Sequence, residues 1–287
     1  MTVGRRSAAP YWLILPGSVV VVVLVAIPLL LTFALSFHPL LPSGQIGHQL
    51  TSGNYFEIAS DSYYGIIFAR TFAVALLVTA ICIVIGVPEA YVLSKLPKNW
   101  RTVSILIVLG PLLVSVIVRT LGWAILLGDG GLINQILLKL GLVDRPLRLM
   151  YTYTGVVIAL VHVLVPFMVL AVWASMQKID FATEQAAESL GAKLPTILWR
   201  VVLPQVTPGV LSGGLMVFAL SASAFATPAI IGGRRLKVVP MSIYDQFLNT
   251  LNWPLGAALA AMLLLLVLGL SIGVNRFVER RFKQVFL

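Results

Sequence analysis

The side chains able to do covalent or metal chemistry are few and poorly spaced for it. His38, His48 and His162 have no metal-ligand spacing to one another, and Cys82 stands alone in an apolar run with no base beside it. No Gly-rich loop carries the P-loop lysine pattern, so the chain is not expected to hydrolyse ATP itself. No catalytic, cofactor-binding or metal-binding residues are expected. The polar residues worth weighing lie instead inside or beside apolar runs. Arg119 sits toward the middle of one run, where a charge facing lipid costs at least about 2.5–3.5 kcal/mol. It must face a helix bundle or a wet cavity, where it either contacts an anionic group of the substrate or holds a gate closed, or else pairs with carbonyls or with an acid of another subunit. Tyr244, Asp245 and Trp253, with Phe247 and Asn252, combine aromatic rings and a carboxylate. That combination suits an alkylammonium group, although an interfacial aromatic belt has the same composition. Glu89, near the end of another run, is expected to snorkel or to pair with a nearby lysine. His162 suits a hydrogen bond between helices.

These residues are carried by a strongly apolar chain. Of 287 residues 59% are hydrophobic and only 10% charged, with a mean hydropathy of +1.00. Soluble domains carry about a quarter charged residues, so the deficit calls for several membrane spans. The reading is an all-α polytopic membrane protein with six transmembrane helices, over about 11–37, 66–94, 103–127, 153–176, 210–231 and 255–274. Arg5-Arg6 before the first run resembles a signal peptide, but a long run without a small-residue cleavage site favours a retained anchor. No internal repeat or low-complexity linker divides 1–287, so a single membrane domain is expected.

The formal charge of +10 does not mark nucleic acid, because the basic residues cluster at span ends. Loops on one side hold Arg5, Arg6, Lys95, Lys98, Arg101, Lys178, Lys193, Arg200, Arg276, Arg280, Arg281 and Lys283. The other side holds only Lys139, Arg145, Arg148, Arg234, Arg235 and Lys237. The richer side is assigned to the cytoplasm, which puts both termini inside.

One long polar segment, the cytoplasmic loop 177–209, interrupts the apolar pattern. It reads as two short helices. Asp180 or Thr183 is placed to cap the first, and Gly191 supplies a left-handed stop after Leu190. Pro195 opens the second helix, and Pro204 is expected to end it after Leu203. Span 5 follows with Ser212, Gly213, Gly214 and Ser221, small residues suited to a subunit interface or a pathway.

The residues of this loop also carry a resemblance. Gln185-Ala186-Ala187, Leu190-Gly191-Ala192, Leu203-Pro204 and Pro208-Gly209 resemble the EAA loop of ABC importer permeases. The family's glutamate falls on Gln185, with Glu184 one residue earlier, and its Ser-Pro is shifted to Lys193-Leu194-Pro195. Further segments are similar to spermidine/putrescine-type permeases: Val118-Arg119-Thr120, Gly131 to Gln135, His162 to Met168, Thr227-Pro228-Ala229, and Leu251 to Gly256. The resemblance implies the type I ABC importer permease fold in the bacterial cytoplasmic (inner) membrane. It implies that Glu184, Gln185, Ala186, Ala187, Glu188, Leu190, Gly191, Leu203 and Pro204 form the coupling helix region, with either Glu184 or Gln185 facing the ATPase. It further implies a second, different permease subunit, an ATP-binding subunit dimer holding ATP and Mg, and a periplasmic solute-binding protein.

The function expected is ATP-driven import by alternating access, for polyamines or a related small nitrogenous solute. Arg119, Tyr244, Asp245 and Trp253 are the candidates for the substrate path or gate. Arg119 would repel a bare polycation and leaves open an amino-acid-like or carboxylate-bearing solute. An ion-coupled secondary transporter is the alternative of another class; it lacks the inverted repeat and paired intramembrane carboxylates such proteins use.

Overall fold

The computed structural model describes residues 16–17, 19–179 and 182–281. Among them there are helices, turns and one isolated antiparallel bridge, Leu40 with Ile46, but no strand. In chain order the helices are α1 (Val19–Leu35), α2 (Gly53–Ser60), α3 (Ser62–Lys95), α4 (Lys98–Leu113), α5 (Val116–Leu127) and α6 (Leu132–Lys139). They continue with α7 (Tyr153–Met176), α8 (Ala182–Ser189), α9 (Leu194–Ala222), α10 (Val239–Tyr244) and α11 (Trp253–Arg281). Five stretches are long and apolar enough to cross a membrane: α3, Val116–Lys139, α7, α9 and α11; α1 is apolar but shorter. Residues 11–15 and 18 of the expected first span lie outside the described residues.

The chain divides into two compact units, 1–64 with 242–264, and 65–241 with 265–287. In the first, Asn54 is buried and donates to the carbonyls of Ser36 (2.8 Å) and His38 (2.9 Å), while the hydroxyls of Ser36 and Tyr55 share a 2.6 Å bond. These bonds satisfy carbonyls freed where α1 ends.

The second unit is organised by α7 and α9. Val157, Leu160, Leu164, Met168, Val169 and Val172 of α7 are buried together with Val202, Val206 and Val217 of α9 and Val78 and Cys82 of α3. The backbones of α7 and α9 approach closely at two glycines. A Cβ on Gly209 would lie 2.5 Å from the Ser175 Cβ, and one on Gly213 would lie 3.0 Å from the Ala171 Cβ. Gly214 faces Thr79 and Ile83 of α3. The small residues of span 5 are thus used for packing within the chain, where close approach lets dispersion contacts accumulate.

Two of the expected spans are broken or displaced in the structure. The run 103–127 is not one helix: α4 stops at Leu113, Val114 and Ser115 are extended, and α5 restarts at Val116. Pro111 near the end of α4 lacks the N–H that would continue the ladder, and the break frees carbonyls that need a donor. The run 210–231 is also displaced. Its helix ends at Ala222, and Pro228–Gly232 form a separate widened (π) turn.

Pro204 does not end the second loop helix. Leu198–Val202 form a π turn in which the Leu203 N–H reaches the Leu198 carbonyl, and the helix runs through Pro204 into span 5 without interruption. A widened turn just before a proline relieves the clash of its ring with the preceding turn. Of the two proposed caps of the first loop helix, Asp180 lies outside the described residues. Thr183 is already helical, and its hydroxyl accepts from Gln205 Nε2 at 3.3 Å.

Candidate coupling loop and transport path

The loop between α8 and α9 turns at Gly191, whose φ of +79° suits a residue without a side chain. The Gly191 N–H reaches the Glu188 carbonyl at 2.9 Å, and the Ala192 N–H reaches the Ala187 carbonyl at 3.1 Å. That pair of bonds is a Schellman stop, which satisfies the last carbonyls of α8 and fixes the reversal. Ala187 and Ala192 pack inward from either side of it. Leu190 at the tip is 88% exposed and Trp199 on α9 is 72% exposed, so the loop presents apolar side chains that the described residues leave largely uncovered.

Glu184 and Gln185 face opposite ways. Gln185 is exposed, as are Ala186 and Glu188. Glu184 is buried; its Oε1 accepts from the Tyr91 hydroxyl at 2.5 Å and its Oε2 from Lys95 Nζ at 2.6 Å. Burial alone raises the pKa of this carboxyl, but the bonds from Lys95 and Tyr91 outweigh it and hold the value below the ordinary carboxylate range. Glu184 therefore anchors the loop to the end of α3, and the outward positions belong to Gln185 and Glu188. Leu203 and Pro204 lie within continuous helix, half-buried. From Leu194 the chain runs on as helix into span 5, which packs against α7 at Gly209 and Gly213.

Arg119 lies on α5, and its guanidinium donates to the Pro111 carbonyl at the broken end of α4. It caps the helix interruption, and its Nε is buried without a partner. On the next turn of α5, Trp123 donates its indole N–H to His162 Nδ1 of α7 at 3.1 Å, the rings meeting edge to face. Pro111, Trp123 and His162 share the wall of a cavity of about 610 Å³ with Glu89 and a set of Ile and Val side chains. Of the two expectations for Glu89, snorkelling or pairing with a nearby lysine, the second is not met: it has neither an ion pair nor a hydrogen bond with any described residue.

The other three path candidates belong to the first unit. Asp245 accepts from Asn249 Nδ2 at 2.7 Å, the Trp253 indole donates to the Phe247 carbonyl at 3.1 Å, and the Tyr244 ring is 45% exposed. These bonds of Asp245 and Trp253 are both to residues within six positions along the chain. Two further functional-looking residues escaped the sequence reading. Asn134, fully buried, clamps the connector by bonding to Gly128 and to both backbone groups of Leu147. Arg70, part of α3, reaches across to the carbonyl of Lys237 at 3.1 Å.

The fold is that of an ABC importer permease. The permease chain of the bacterial alginate ABC transporter, solved in complex with a pentasaccharide-bound periplasmic protein, superposes with a TM-score of 0.75 over 97% of this chain and 96% of that one, at 15% identity. At that identity the likeness concerns the fold. Sequence relatives narrow the class. The spermidine/putrescine transport system permease protein PotB of Escherichia coli is 34% identical over 223 residues, 77% of this chain and 80% of the relative. The PotB of Haemophilus influenzae is 30% identical over 260 residues, 90% of this chain and 91% of the relative. No family model matches the chain. The chain belongs to the family of spermidine/putrescine-type ABC permeases, and it is a permease subunit of a binding-protein-dependent importer.

Proposed function

We propose that this chain imports spermidine, putrescine or a closely related small amine across the bacterial inner membrane. It does so as one half of a permease pair driven by ATP on a separate subunit dimer that holds ATP and Mg. A periplasmic solute-binding protein delivers the cargo, and a second, different permease completes the pathway. In this reading six helices span the membrane with both termini inside, which places the Gly191 turn at the cytoplasmic face, where the basic loops lie.

The observation that carries the mechanism is the unbroken helix from Leu194 to Ala222. A push received at Leu190 and its exposed neighbours cannot be absorbed by a flexible joint beyond Gly191; it moves α9, and α7 with it. Two nucleotide states of the ATPase that hold the loop differently then bias the permease between outward-open and inward-open forms. Relatives named for spermidine/putrescine transport support the amine assignment.

The test is reconstitution with both permeases, the ATPase and the binding protein. ATP-dependent accumulation of radiolabelled putrescine or spermidine is expected. Accumulation driven by an ion gradient without ATP would contradict the assignment, as would its absence beside uptake of a carboxylate-bearing solute.

A further inference from the structure

We infer that the Glu89 carboxylate is a transit site for an ammonium group of the cargo inside the permease. The inference rests on the amine reading given above, and it starts from a charge without an answer. Glu89 lies on α3 in register with Ile85 and Ile81, one and two turns earlier, so all three line the same stripe of the helix. That stripe faces the 610 Å³ cavity, whose wall is otherwise mostly apolar.

A carboxylate on an apolar wall is costly unless a cation, a donor or water meets it. Three basic side chains of the same unit bond other groups. Lys95 bonds Glu184, Arg101 bonds the Leu96 carbonyl at 2.9 Å, and Arg119 bonds the Pro111 carbonyl. No described residue makes a hydrogen bond or ion pair to Glu89. The missing partner is supplied by a ligand that carries its own positive charge.

The rest of the cavity suits such a ligand. Its volume is within the range of small-molecule sites, about 300–1,000 Å³. A diamine or triamine presents ammonium groups joined by methylene chains, and Ile107, Val108 and Val161 offer those chains an apolar surface. Trp123 adds an aromatic ring to the wall, oriented by its bond to His162, and aromatic faces attract ammonium groups.

The experiment uses the complete complex in proteoliposomes, with radiolabelled putrescine and spermidine at limiting concentration. Glu89→Gln, which removes the charge and keeps the size, is expected to lower the initial uptake rate at least tenfold. Glu89→Asp is expected to recover a third or more of the wild-type rate. Three results overturn the inference: wild-type uptake with Glu89→Gln, equal loss in the Gln and Asp variants, or failure of the Gln variant to assemble with the second permease. The last would mean that the carboxylate answers a cation of that subunit. If the wild-type complex takes up neither amine, the amine reading itself falls, and the inference falls with it; a wild-type complex that transports amines alongside an unaffected Gln variant rejects the inference alone.

Discussion

Lys95 Nζ lies 2.6 Å from Glu184 Oε2, which ties the last residue of the long helix α3 to the first turn of α8, 89 residues later. With the Tyr91 hydroxyl on the other oxygen, the bond makes the loop part of the permease body. Glu184→Ala is expected to lower the melting temperature of the purified complex by a few degrees. Hydrogen bonds to charged groups contribute about 1.5–3 kcal/mol, and the half-exposed lysine puts this one at the lower end. In a double-mutant cycle with Lys95→Met the two losses should be clearly less than additive; additive losses would mean the pair does not act as a unit.

The same pair has a pH signature. The folded-state pKa of Glu184 lies below its ordinary value, so its contribution is fully present above about pH 4.3 and is lost as pH falls through the lowered value. Melting temperatures measured from pH 7 down to pH 3 should show wild type losing its advantage over Glu184→Gln at the acid end, below the ordinary carboxylate value. An advantage that instead disappears between pH 6 and 8 would point to a different group.

Gly191→Val should stop coupled uptake while the permease still inserts into the membrane. A Cβ there meets nothing within 4 Å, so the cost comes from the backbone, which a β-branched residue resists at φ +79°. That cost is about 1–2 kcal/mol, and Gly191→Asn should retain much of the activity because asparagine tolerates this region. The check is ATP-driven uptake normalised to membrane-inserted protein.

Gly209→Ala and Gly213→Ala should destabilise in that order, because a new Cβ would lie 2.5 Å and 3.0 Å from its nearest neighbour. Overpacking of this kind costs about 1–3 kcal/mol. Gly110→Ala and Gly269→Ala, where a Cβ meets nothing, are the neutral controls. Thermal melts of the detergent-solubilised complex give the ranking.

The long apolar helices were legible in the sequence because apolar composition over 20 or more residues has one physical solution in lipid. The run 153–176 coincides with α7, and 66–94 differs from α3 only by residues at its ends. The Gly191 stop was legible because left-handed geometry is a local property. What the sequence concealed depends on partners distant in the chain or on compensation. The break at Val114-Ser115 follows from Pro111 only because Arg119 is at hand to cap the freed carbonyl. The continuity through Pro204 depends on a π turn that no single residue announces. That Glu184 faces inward and Gln185 outward is decided by Tyr91 and Lys95, far away on α3.

Cross-linking at the loop tip measures most directly whether α8 and α9 receive the motor. A Leu190→Cys complex treated with a short bifunctional thiol reagent should join this chain to the ATP-binding subunit, with a yield that changes between ATP-bound and nucleotide-free states. Modification of that cysteine from outside intact cells by a membrane-impermeant reagent, with no adduct to the ATP-binding subunit in either state, would contradict it.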